Sequence, residues 1–330
     1  MTIMEGTNNI PVMMTATTEM TAANHWDHFL ARMGIRRGEH RVIPGLYQVG
    51  SPTPESHVFV TSNYSLSFDA LRKVLKGMDA YILVLDTRGV NVWCAAGKKT
   101  FGTGEVIRRI EAVQLDKVVS HRRIILPQLG APGVEAHKVK DQTGFRVEYG
   151  PVRAADLPEY LKTHKATPAM RQVTFPIRDR LVLVPVEMVT TLLPALLAIV
   201  IAYLIGGLPY ALAALMVYLC GTAFFPMLLP WLPSKDFSTK GAFLGLIAAI
   251  PFVISVLLHS DWSWYQRFGQ SLGYFLVLPA SISFISLNFT GSSTFTSRTG
   301  VRKEIFSYIR PMAFSFGVGI VLLLVFAFVH

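Results

Sequence analysis

Chemistry in this chain starts from one thiol. Cys94 is the only cysteine in the first 219 residues and stands in the run Asn91-Val92-Trp93-Cys94-Ala95-Ala96-Gly97-Lys98. With Asn91 as the cap of a short helix, Cys94 becomes its third residue and Gly97 ends it about one turn later. A sulfur in a first turn faces unpaired N–H groups and the positive end of the helix dipole, and Lys98 and Lys99 add positive charge. This setting favours the thiolate, the form that attacks electrophiles or binds metals. Ala95 and Ala96 would leave a flat surround for a planar ligand, with Trp93 projecting elsewhere as an anchor. The same residues also suit a small buried structural cysteine, and the local pattern leaves both readings open.

Several chemistries are excluded by what is missing. There is no Cys-x-x-Cys pair, and His121 and His137 lack the spacing of a cysteine-hydrolase dyad. The second cysteine, Cys220, brings the total to two, too few for an iron–sulfur cluster and unpromising for zinc. The Gly97-Lys98 pair fails the phosphate-loop pattern because Val92 stands where its first glycine belongs. A cofactor that brings its own four equatorial ligands needs one axial atom from the protein, and a tetrapyrrole fits that description.

The elements around Cys94 alternate. Residues 57–63 and 80–86 read as strands, the second an apolar run suited to burial on both faces. Residues 67–77 and 103–114 read as helices, the latter with Thr103 as cap. Short strands at 117–120 and 122–127, a helix near 133–140, a strand at 145–151 and a helix at 154–164 complete the pattern. Alternation predicts a parallel, doubly wound sheet, which binds ligands at the carboxyl ends of its strands. Those ends are read as Thr61-Ser62-Asn63, Asp86-Thr87 leading into the Cys94 run, Ser120-His121, Pro127-Gln128-Leu129-Gly130 and Gly150-Pro151-Val152.

The rest of the chain has a different composition. Residues 1–180 hold 24 of the 31 Lys and Arg and 17 of the 21 Asp and Glu. Beyond them lie five apolar runs, at about 181–205, 209–230, 241–259, 269–289 and 311–329, each near the roughly 20 residues that cross a hydrocarbon core. Lys and Arg number six in 153–180, two in 231–240 and four in 290–310, while the alternate loops are nearly bare. That bias puts the soluble part in the cytoplasm and the C-terminus outside. Within the spans, Glu187 reads as an interfacial carboxylate and Cys220 as a packed apolar side chain. The net charge of +10 comes without a basic stripe interleaved with aromatics, so nucleic acid is not an expected partner. The expected division is a mobile tail and lead-in at 1–45, an α/β domain at 46–165, a basic linker at 166–180 and a membrane domain at 181–330.

The runs 60–105 and 118–139 resemble the corrinoid-binding domain of the corrinoid iron–sulfur protein large subunit. Joined to five apolar spans, the chain resembles the corrinoid proteins of microbial mercury methylation, whose hallmark Asn-(Val/Ile)-Trp-Cys-Ala-Ala-Gly-Lys is matched at every position of residues 91–98. The resemblance is strong over about 57–163 and is one of architecture in the membrane part. It implies a Rossmann-like corrinoid-binding domain followed by an all-α transmembrane domain of five helices. It further implies a cobamide whose cobalt takes Cys94 as lower axial ligand, on a cap helix over the strand ends. Residues 91–98 and the strand ends Thr61-Ser62-Asn63, Ser120-His121, Pro127-Gln128-Leu129-Gly130 and Gly150-Pro151-Val152 would hold the cofactor. The Asp-x-His-x-x-Gly cobalamin pattern is absent, as are the cluster cysteines of the iron–sulfur relative. The implied activity is methyl transfer from methyl-cobalt(III) to Hg(II). The implied partners are a ferredoxin-like reductant with two four-iron clusters and a methyl donor of the methyltetrahydrofolate pathway. The rival readings are a membrane-anchored methyl carrier of one-carbon metabolism and a transporter with a ligand-sensing domain.

Overall fold

The computed structural model describes residues 13–291 and 298–328. Within it the chain divides into two compact units, the first ending at Val173 and the second beginning at Thr174, with Arg32–Gly34 belonging to the second. Residues 1–12 of the expected tail, 292–297 of the basic loop and residue 329 of the last apolar run lie outside the described residues.

In the first unit β1 (Met13–Thr15), α1 (Ala22–Arg32), β2 (Gly45–Val49), β3 (Val58–Ser62), α2 (Ser65–Val74), β4 (Ala80–Leu85), α3 (Val92–Gly97), α4 (Thr103–Ala112), α5 (Leu115–Val118), β5 (Arg123–Leu126), α6 (Ala136–Thr143), β6 (Arg146–Tyr149), α7 (Leu157–Thr163) and α8 (Pro168–Arg171) follow in order. The strands form one sheet in the order β1-β2-β4-β3-β5-β6. Every residue of β3 and β4 is buried, as their apolar runs require.

Four expectations change. The sheet is mixed: β4, β3, β5 and β6 are parallel, but β2 runs antiparallel to β4. The residues read as a mobile tail contribute β1, which pairs with β2, and α1. The run at 117–120 is no strand, because Gln114 takes a left-handed turn (φ +46°) that starts α5 and sends Leu115 and Val119 into the core. Residues 166–180 are no free linker either. Thr167 caps α8, Val152 N–H donates to Met170 O at 2.8 Å, and Arg171 reaches Gln128 Oε1 at 2.8 Å.

The strand order fixes where a ligand can enter. From β3 the chain passes to β4 on one side, then crosses back to β5 on the other, so the connections diverge between β3 and β5. The crevice at the carboxyl ends of two such strands is the ligand position of an open α/β sheet. Two apolar cores cover the sheet. Phe59, Phe68, Leu71, Leu157 and Tyr160 fill one face beneath α2 and α7. Val60, Leu83, Ile107, Ile110 and Phe145 fill the other beneath α4 and α6.

The second unit is helical: α9 (Ile177–Leu181), α10 (Val184–Leu219), a π-helical turn at Cys220–Phe224, α11 (Phe225–Leu228), α12 (Phe237–Leu257), α13 (Trp264–Asn288) and α14 (Arg298–Phe328). Four segments are long and apolar enough to cross a membrane. The first, Ile177–Leu228, has 52 residues, far more than one crossing needs. It doubles back where Gly206 and Gly207 leave helical geometry, Gly207 at φ +68°. Tyr218 Oη donates to Met188 O at 3.0 Å, although a straight helix would hold these residues about 45 Å apart. Arg180 likewise donates to Met227 O at 2.6 Å. Cys220 is buried in the core of this unit. Small residues let the helices approach closely, as expected where packing rather than water drives association. A Cβ on Gly245 would lie 2.4 Å from Pro279 Cα, and one on Gly273 would lie 2.7 Å from the Leu323 side chain.

Candidate functional site

The Cys94 helix is built as its sequence predicts. Asn91 is extended (φ −62°, ψ 160°) and its Oδ1 accepts the Cys94 N–H at 2.9 Å. Val92 is the first helical residue, so Cys94 is the third, and Lys98 N–H closes the turn on Cys94 O at 3.0 Å. Cys94 is a free, half-buried thiol, whereas Gly97 and Lys98 are exposed.

The neighbours of Cys94 play different parts from those expected. Ala95 and Ala96 form no flat surround: they are 0% and 2% exposed and belong to the core under α4 and α6. They are small because the turn after β5 presses on α3. A Cβ on Gly133 would lie 3.0 Å from Ala96 Cα and 2.2 Å from Phe101 O, so even one methyl group there would overlap. Trp93, read as an anchor pointing away, lines a cavity with Asn91 and Val92.

That cavity, of about 330 Å³, lies at the β3/β5 crevice. Thr61, Pro127, Leu129, Gly150, Pro151 and Val152 line it, as their strand-end positions predict. Sequence reasoning missed its floor, formed by Phe59, Val60, Ser67, Ala70, Leu71, Ile125, Leu126, Ala154 and Leu157. A signal for part of it exists, since the small residues Ser67 and Ala70 flank Leu71 in the helix that follows β3 directly. The lining is mainly apolar, with Thr61, Ser67, Asn91 and Trp93 as the residues that carry hydrogen-bonding side chains. At the same strand end Ser62 Oγ is fully buried and has no hydrogen-bond partner among the described residues.

The remaining strand-end residues do other work. Asn63 does not face the cavity. It is 1% exposed, and its Oδ1 accepts from Thr87 N (3.0 Å), Thr87 Oγ1 (2.9 Å) and Gly89 N (3.0 Å), while Nδ2 donates to Asp86 at 3.3 Å. It therefore fixes the loop that delivers Asn91. Glu105 of α4 helps, accepting Asp86 N–H at 2.8 Å. Thr103 is not the cap of α4. Gly102 takes that position, and Thr103 Oγ1 accepts the Glu135 N–H at 2.9 Å. Gln128 holds Arg171, and Gly130 leaves room for Phe101, whose ring would lie 2.5 Å from an added Cβ.

Ser120 and His121 sit at the opposite end of the strands. Ser120 N–H donates to Pro54 O at 2.9 Å and His121 Nε2 bonds Ser56 O at 2.9 Å, both just before β3 begins. With 117–120 helical, these residues precede β5 instead of ending a strand, so parallel pairing with β3 puts them at its amino end.

Comparison with known proteins bears on this first unit. Residues 37–161 match the family model of the CO dehydrogenase/acetyl-CoA synthase delta subunit. A stretch of 129 residues, 38% of the chain, is 33% identical to the acetyl-CoA decarbonylase/synthase complex subunit gamma of Methanopyrus kandleri and 35% identical to that of Methanothermobacter thermautotrophicus, covering 27% of each. It is 30% identical over 129 residues to the corrinoid/iron-sulfur protein large subunit of Moorella thermoacetica, covering 28% of that protein. The chain thus spans about a quarter of the length of the curated relatives it matches.

Proposed function

We propose that the α/β unit binds a corrinoid over the β3/β5 crevice, with Cys94 as the lower axial ligand to cobalt, and that the protein transfers a methyl group to Hg(II), giving methylmercury. The observation that carries this reading is Cys94, held in the capped first turn of a helix whose leading residues Asn91, Val92 and Trp93 line a cavity at the sheet's switch point, although Cys94 itself is not among the lining residues. The similarity to a corrinoid/iron-sulfur protein supports the cofactor. The residues present suit it: the cavity joins an apolar floor to the polar side chains of Thr61, Ser67, Asn91 and Trp93. Small residues at Gly150 and Ala154 leave backbone within reach of a bulky ligand's amides.

A bound corrinoid would supply a cobalt that accepts and releases a methyl group. The chain's own part is to present one sulfur and fix its direction. Asn91 takes up the Cys94 N–H, Asn63 braces the loop before it, and the buried pair Ala95-Ala96 seats the helix. As a ligand to that cobalt, the Cys94 sulfur would donate more strongly than a neutral imidazole and so would favour release of the methyl group with its electron pair. Hg(II), soft and thiophilic, suits such a group as acceptor. Reduction would come from a ferredoxin-like partner with two four-iron clusters, and the methyl group from a donor of the methyltetrahydrofolate pathway. The hairpin and the three further apolar helices make five crossings of the inner membrane, with the α/β unit in the cytoplasm and the C-terminus outside, as the Lys and Arg bias indicates.

The relatives favour a second reading, a membrane-anchored corrinoid methyl carrier of one-carbon metabolism, because their names place them in acetyl-CoA complexes. The run at 91–98, with its single thiol as the one metal-binding side chain it would offer, favours Hg(II) as the acceptor. The test loads the full-length protein with methylated corrinoid, adds Hg(II) and measures methylmercury for wild type and Cys94→Ala. Methylmercury from wild type alone supports the mercury reading. Retained corrinoid with no methylmercury leaves the carrier reading standing, and a protein that takes up no corrinoid refutes both.

A further inference from the structure

Helix α1 is built inside out. Its polar face meets the body of the first unit: Asp27 accepts from Ser65 Oγ and bonds His40 Nδ1 at 2.7 Å, His28 bonds Asp69 at 2.7 Å, and Asn24 Oδ1 accepts from Arg72 at 3.0 Å. The opposite face carries Ala22, Trp26 and Phe29, positions i, i+4 and i+7 of one stripe. Trp26 is 61% and Phe29 48% exposed, their rings stacked at 5.3 Å. No residue of α1 is buried. An amphipathic helix on a soluble surface turns its apolar face inward, so this one is oriented for an apolar partner outside.

Two further observations identify that partner. Arg32, Arg36 and Arg37 follow the stripe and are exposed, a cationic cluster that complements anionic headgroups. The residues leaving α1, Arg32–Gly34, belong to the membrane unit, where a Cβ on Gly34 would lie 2.8 Å from the Val186 side chain near the start of α10. The stripe therefore leads into a segment fixed beside an apolar leg.

We propose that α1 is an interfacial helix whose Ala22, Trp26 and Phe29 face enters the headgroup and acyl boundary of the bilayer, with the arginines on anionic lipid. The proposal rests on the membrane reading of the second unit. The test reconstitutes the full chain in bilayers of phosphatidylcholine and phosphatidylglycerol, with brominated acyl chains as the quencher. The Trp26 signal is taken as the difference between wild type and Trp26→Phe, a conservative change at an exposed site. Bromolipid should remove most of the Trp26 emission, and aqueous iodide little of it. A Trp26 component quenched by iodide and untouched by bromolipid overturns the proposal, as does one shielded only when a protein partner is added. Trp231, Trp262 and Trp264 of the second unit separate the two claims. Their quenching without that of Trp26 refutes the interfacial helix and leaves the membrane reading intact.

Discussion

Replacing Asn63 by Ala should loosen the Cys94 loop without touching the cavity wall. Asn63 Oδ1 accepts three hydrogen bonds, two of them from the backbone N–H groups of Thr87 and Gly89. Thr87 is fully buried and Gly89 half-buried, while Thr87 Oγ1 keeps Val90 O as an alternative partner at 2.6 Å. Stranding one fully and one partly buried N–H costs about 2 and about 1 kcal/mol, or about 3 kcal/mol in all. If that cost appears as local opening, exchange in this loop rises about 100-fold. Hydrogen–deuterium exchange of the full-length protein should show the rise over residues 86–98 while β4 keeps its protection. Thr61→Val is the contrasting change: it lines the cavity, so it should weaken corrinoid binding and leave loop exchange alone. An Asn63→Ala protein whose loop exchanges like wild type, or whose loss is spread evenly over the sheet, would refute the assignment of Asn63 to the loop.

Further outcomes follow from the same geometry. Asn91→Ala removes the helix cap at a cost of about 1 kcal/mol, so exchange of the Cys94 amide should rise about fivefold, and Asn91→Ser should restore it. Cys94→Ala should abolish methylmercury formation while circular dichroism stays unchanged; normal turnover by this variant would end the axial-ligand reading. Ser120→Ala, at the amino end of the strands, should leave corrinoid affinity unaltered in a spectroscopic titration. The attachment of α1 should depend on pH. Burial opposes a charge on His40, but hydrogen bonds to Asp27 and Ile35 O outweigh it and raise its pKa above the usual 6.5. Burial likewise opposes a charge on Asp27, yet hydrogen bonds from Ser65 and His40 hold it below the usual 3.8. The His40 contribution is full below 6.5 and lost as pH rises through its raised value; that of Asp27 is full above 3.8 and lost as pH falls through its lowered value. Proteolysis of residues 22–40 should therefore be slowest between about pH 4 and 6.5, and His40→Gln should flatten the alkaline arm.

Sequence alone determined the features that depend on neighbours along the chain. The capped turn at 91–98 is legible because Asn91 and Cys94 are three residues apart, which is the reach of a cap. The buried strands at β3 and β4 follow from unbroken apolar runs, and the apolar helices follow from composition and length. The strand-end residues Thr61, Pro127, Leu129 and Gly150–Val152 follow from alternation of strand and helix.

Tertiary structure decided what depends on contacts between distant segments. Ala95-Ala96 reads equally as a ligand surface or as packing, and only the approach of Gly133 from another turn selects packing. Asn63 looks like a ligand contact until the loop after β4 folds over it. Ser120 and His121 changed ends of the sheet because a single left-handed residue, Gln114, turned an apparent strand into a helix. The same holds for α1, which lies in the stretch read from sequence as a mobile tail and lead-in. Its polar groups instead find His40, Ser65, Asp69 and Arg72, residues supplied by elements that sequence spacing does not bring together, and those bonds turn Trp26 and Phe29 outward.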